Sequence, residues 1–191
     1  MNLLNIFKAD ESKIKGELTF KVRDQWGRTK KLWQENWLGK LIRKTLGVDL
    51  QGISFLGRWT DWLVFNNLVV NAGLAGMASR CNGSGGESAF TYLAVGTGTT
   101  APAAGNTALE TEIVDSGLAR ASATVSRVTT SVTNDTAQLD KTWNVTGTKA
   151  VTEAGAFNAA SNGTMLGRQT FSAVNVANGD TLQVIYKFQM S

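Results

Sequence analysis

Five apolar side chains near the C-terminus, Leu182, Val184, Tyr186, Phe188 and Met190, occupy every second position. That spacing places them on one face of a strand, and a helix cannot bury them together. The pattern recurs upstream. Ala137, Leu139, Trp143 and Val145 share a face that Lys141 interrupts, while Gln138, Asp140, Thr142 and Asn144 share the other. Runs 150–158 and 164–171 flank Asn162-Gly163, and Asn178-Gly179-Asp180 marks the next reversal. Asn-Gly between strand-like runs signals a hairpin, because both residues tolerate positive φ. Further strands are predicted at 63–70, 90–96 and 119–132, with a short strand or helical turn at 108–113. With 20 Gly and a single Pro, the chain is suited to short strands joined by tight turns. A mainly β fold is expected, an antiparallel β-sandwich of jelly-roll or immunoglobulin-like type over residues 63–191. A partly open barrel would give the same one-dimensional pattern.

Residues 1–62 have a different character. The first 70 residues carry 12 Lys+Arg against 7 Asp+Glu, a balance of +5, although the whole chain is only +4. Five of the six Trp also lie there. Residues 14–23 alternate as a strand, 24–27 read as a turn, and 28–33 can return to complete a hairpin. From Leu32 the spacing becomes helical. Trp33, Trp37 and Leu41 recur every four residues, with Lys40, Arg43 and Lys44 off that stripe. One amphipathic helix is therefore predicted, ending near Gly47. An irregular connector with large apolar anchors follows over 50–62, and farther on Asn71 can cap a short helix of small residues. The predicted organisation is an N-terminal arm, 1–62, on a β domain, 63–191, that folds without it.

Catalytic chemistry finds little support. There is no His, so the commonest general acid/base and metal ligand is missing. Cys81 is the only cysteine, which rules out an internal disulfide, and it reads as an inert packing residue. The Gly96-Thr97-Gly98 run has neither a third glycine nor a following helix, so it reads as a tight loop, not a phosphate cradle. Glu110 and Glu112 read as exposed charge. Glu153 stands in an apolar strand, and a carboxylate there needs a partner. Arg120, Arg127 and Arg168 are the candidates. No enzyme activity, cofactor or metal is expected.

The indole-rich arm admits three uses, a nucleic-acid groove, a membrane-surface helix or a protein-docking element, and the alternative is that its Trp simply fill a local core. The modest charge, with acids interspersed, argues against the first two. Trp removes much apolar area from water for little entropy, which suits it to interfaces. The predicted docking residues are Trp26, Trp33, Trp37, Leu41, Arg43, Lys44, Trp59 and Trp62.

Three segments, NNLVVNAGLAGMASR (66–80), FTYLAVGTGTTAPAAGNTALETEI (90–113) and VTEAGAFNAASNGTMLGRQTF (151–171), occur in that order. From near Asn67 to the C-terminus the chain resembles small virion proteins of tailed bacteriophages that carry a tail-fibre or collar-type module. The resemblance implies a β-rich, non-catalytic assembly module that multimerises or caps another virion component. It implies a protein of the virion, assembled in the host cytoplasm, whose partners are tail or capsid subunits and copies of itself. A place in the tail (fibre, collar, adaptor or baseplate) is expected, with capsid decoration as the close alternative. Receptor or carbohydrate binding through loops 82–87 and 97–107 is a further reading. Residues 1–62 lie outside the resemblance.

Overall fold

The structure is a computed structural model and describes residues 14–46 and 51–190, without the Lys44 side chain. The predicted helix end at Gly47 lies outside the described residues. Strands β1 (Ile14–Arg23), β2 (Leu32–Glu35), β3 (Gly57–Thr60), β4 (Leu63–Val69) and β5 (Tyr92–Gly96) come first, with helices α1 (Trp37–Leu46) and α2 (Asn71–Asn82) between them. Then follow β6 (Ala121–Ser122), β7 (Thr124–Val128), β8 (Thr136–Asn144), β9 (Lys149–Phe157), β10 (Met165–Val176) and β11 (Thr181–Met190).

Alternation decides the longest pair. In β11 the even positions from Leu182 to Phe188 are buried, and in β1 so are Leu18, Phe20 and Val22. The two strands pair antiparallel from Ile14 opposite Met190 to Arg23 opposite Thr181, which brings their apolar faces to the same side. On its other edge β1 pairs with β4, Leu18 facing Phe65 and Phe20 facing Leu63. The division at residue 62 is therefore corrected: β1 is an inner strand of the sheet and not part of a separate arm. Its partners lie some 45 and 170 positions away in the chain, beyond the reach of a local pattern. The predicted return strand 28–33 is corrected too. After the Gly27 turn only a bridge between Arg23 and Thr29 forms, and β2 pairs with β3 instead.

Among the described residues, nine strands form one antiparallel sheet, in the order β6-β5-β9-β10-β4-β1-β11-β8-β7, and it curls until it is nearly closed into a barrel. The two rims are neighbours in the chain. β6 pairs with β5, β7 pairs with β8, and Ala123 alone separates them, its N–H bonded to the Thr91 carbonyl. The strand predicted over 119–132 is thus one extended segment that changes partner midway. Segment 108–113 forms no regular strand; Glu112 makes a single bridge to Gly96. Asn162 and Gly163 do take positive φ, 53° and 71°, within the longer reversal 158–164.

Aromatic rings fill the interior. Phe20 lies 4.4 Å from Phe171, Phe65 stacks on Phe171 at 5.2 Å, and Tyr186 stacks on Phe188 at 4.8 Å. Burial pushes the Tyr186 phenol well above its ordinary pKa, and its oxygen accepts from Asn67 Nδ2 at 2.9 Å. Helix α2 covers the end of the barrel where β10 begins. Gly73 permits this, because a Cβ there would strike the Leu166 backbone. No side chain caps α2, whose N-cap is Val70, so Asn71 does not play the predicted role.

Candidate docking surface

The other end of the barrel carries β2, α1 and β3. Gln34 Nε2 donates to the Val64 carbonyl, and Lys30 meets Asp180 at 2.8 Å, so this segment is tied to β4 and to the β10–β11 turn. Within it the chain turns from strand to helix at Asn36, whose Oδ1 accepts the Gly39 N–H at 2.9 Å, an N-cap. The Asn36 Nδ2 donates to the Phe55 carbonyl, which pins the start of α1 to the connector. Leu32 to Glu35 were predicted as helix. They form β2 because Trp33 and Trp59 face one another across the β2–β3 ladder, rings 5.4 Å apart.

The predicted docking residues divide into two groups. Trp33 is buried against Gly57, and its indole N–H finds no hydrogen-bond acceptor. Arg43 turns inward, its Nε 2.9 Å from the buried Glu35 carboxylate, and so clamps α1 onto β2. Trp26, Trp37, Trp59 and Trp62 are 50–75% exposed, and Leu41 is exposed beside them in sequence on α1. Large indoles left in water to this extent do not serve the core of this chain. Leu46 and Phe55, which the sequence pattern did not single out, are also exposed. The signal for Phe55 was the run of large apolar residues in the connector, which had no period to match, and Leu46 ends α1. The Arg28 guanidinium lies 4.7 Å over the Trp26 ring, and Lys31 meets Asp61 at 2.7 Å, holding the two flanking turns.

The charged residues predicted to pair lie elsewhere. Glu153 and Arg168 come together fully buried, Nε to Oε2 at 2.8 Å. The Glu153 carboxylate also accepts the backbone N–H groups of Gly98, Glu110 and Thr111. Arg168 reaches Asn106 Oδ1 at 3.1 Å. One ion pair thus fastens both limbs of the loop between residues 97 and 111. Glu110 is exposed, and hydrogen bonds from the Thr100 amide and hydroxyl hold its carboxyl below the usual range. Arg120 is not brought to Glu153: it binds Glu112 at 2.5 Å and lies over the Phe157 ring at 3.6 Å. Arg127 stands exposed on β7 opposite Ala137. Cys81 is exposed near the end of α2, not packed as predicted.

Among the described residues, no three His, Cys, Asp or Glu side chains gather as metal ligands. No described helix is long and apolar enough to cross a membrane. Compared with family models, with curated proteins and with solved structures, the chain matches none.

Proposed function

We propose that this chain is a structural protein of a tailed-phage virion that docks on neighbouring subunits through the indole-bearing end of its barrel. The observation that carries the docking is the exposure of Trp26, Trp37, Trp59 and Trp62 together at that end, where each would bury a large apolar area on association. The virion context rests on the resemblance of residues 67–191 to phage assembly modules. A tail position is preferred, with capsid decoration as the alternative. Partners are tail or capsid subunits, with self-association into an oligomer. A two-layer sandwich is the finer form of the fold in this reading. It is supported by the short β4–β10 junction, where only Val69 with Gly167 and Leu68 with Arg168 pair.

The test uses the full chain. Trp37→Ala and Trp62→Ala change folding stability by less than about 0.5 kcal/mol, as surface substitutions do, yet abolish incorporation into particles. Trp33→Ala costs about 3–5 kcal/mol by denaturant titration, as a core truncation. Particle mass spectrometry reads incorporation and copy number: hundreds of copies place the protein on the capsid, about a dozen in the tail. Normal incorporation of the Trp37 and Trp62 variants would end the docking assignment.

A further inference from the structure

The end of the barrel that carries the exposed indoles also carries the protein's net charge. Residues 23–62 hold eight Lys+Arg against four Asp+Glu, a balance of +4 that equals the balance of the whole chain. The remainder of the chain is therefore neutral in sum. Each described acid at this end is already engaged. Asp24 meets Arg28 at 2.8 Å, Asp61 meets Lys31 at 2.7 Å, Asp180 meets Lys30 at 2.8 Å, and Glu35 is held by Arg43. Arg23, Lys40 and Arg58 are left over. All three are exposed, and among the described residues none has a carboxylate partner.

These cations are interleaved with the indoles. Lys40 follows Trp37 by three residues on α1, which makes the two neighbours on the helix surface. Arg23 ends β1, just before the turn that carries Trp26. Arg58 precedes Trp59 on β3 and borders a cleft of about 380 Å³ with Gln34, Glu35, Asn36 and Gly57. Gln34 and Asn36 donate their amides to backbone carbonyls and Glu35 binds Arg43. Arg58 is thus the lining side chain with free donors, and a guanidinium presents a planar fork of N–H groups that fits a carboxylate.

A nucleic-acid backbone is a poor match, since its binders make about 6–10 phosphate contacts. The other described cations here are each bound to an acid, so the surface lacks the polybasic cluster that anionic lipid attracts. A second copy presenting the same end would set like charges against one another. What suits cations placed among large apolar rings is a polypeptide face of the same grain, apolar with scattered carboxylates. We infer that the partner covering this end is an acidic protein surface, whose carboxylates meet Arg23, Lys40 and Arg58 while its apolar side chains bury Trp37, Trp59 and Trp62. The inference rests on the docking reading and adds the partner's chemistry to it.

The full chain is titrated with a short fluorescein-labelled peptide of Glu and Leu in equal number, with the same peptide bearing Lys for every Glu, with oligothymidine and with phosphatidylserine vesicles. The Glu peptide is expected to bind at least about tenfold tighter than the other probes, and to weaken as salt is raised. Lys40→Glu with Arg58→Glu is expected to lose at least about tenfold in affinity for it, while thermal unfolding stays at the parent temperature because both side chains are exposed. Lys40→Gln with Arg58→Gln is expected to lose less, since charge is removed and not reversed. Equal binding of the two peptides, tighter binding of oligothymidine or vesicles, or no loss on charge reversal overturns the inference. Particle incorporation separates it from the docking reading. If Trp37→Ala and Trp62→Ala abolish incorporation but the charge-reversed variant enters normally, docking stands and the acidic partner falls. If all of them enter normally, both fall.

Discussion

Arg168 and Glu153 are among the largest fully buried side chains of the protein, and each is the other's counter-charge. Removing one charge strands its partner away from water, which costs about 3–5 kcal/mol for a buried pair. Arg168→Met is expected to lower stability by that amount in urea titration and to speed amide exchange through residues 97–111, whose limbs hang from the Glu153 oxygens. Arg120→Met is expected to do less, since its partner Glu112 keeps some contact with water. That Glu153 required a cation was legible from its apolar strand. Which arginine supplied it was not, because Arg168 lies opposite Gly155 on the neighbouring strand, and register emerges only from the whole sheet.

At the scale of elements, the reversal between β7 and β8 shows how a short loop is held by one carboxylate. Asp135 accepts the N–H groups of Val132, Thr130 and Ser131. These bonds, that from Val132 foremost, hold its carboxyl far below the usual range despite some desolvation. A depressed folded-state value means the stabilisation is complete above the unfolded value of about 3.9 and fades as pH falls below it. Asp135→Asn is therefore expected to flatten the loss of stability on acidification below pH ~4, read as urea midpoint against pH. The sequence pattern read 119–132 as a single strand. Alternation along the strand is blind to a change of pairing partner at Ala123. The helix–strand boundary at Asn36 was displaced for a related reason: Trp33 has helical spacing from Trp37, but its cross-strand contact with Trp59 outweighs local periodicity.

For the whole molecule, the decisive fact is the place of β1. It closes the sheet between β4 and β11, burying Leu18, Phe20 and Val22. A fragment of residues 65–191 lacks that strand and leaves two long edges and an open core, so it is expected to lose cooperative thermal unfolding and near-ultraviolet circular dichroism. A sharp transition at the parent temperature would contradict this. The mainly β character and most strand positions were readable because alternation and turn residues are local. The exposed indoles were readable as a group because composition is local too. What was hidden, the membership of β1 and the inward turn of Trp33 and Arg43, depends on contacts between distant segments. The stitching of both rims by residues 121–128 has one more consequence. Among the described residues the longest strand on either rim is the five-residue β7, so these rims offer foreign polypeptide no extended ladder to zip onto, and crowding many copies side by side should favour ordered contacts over fibrous aggregates.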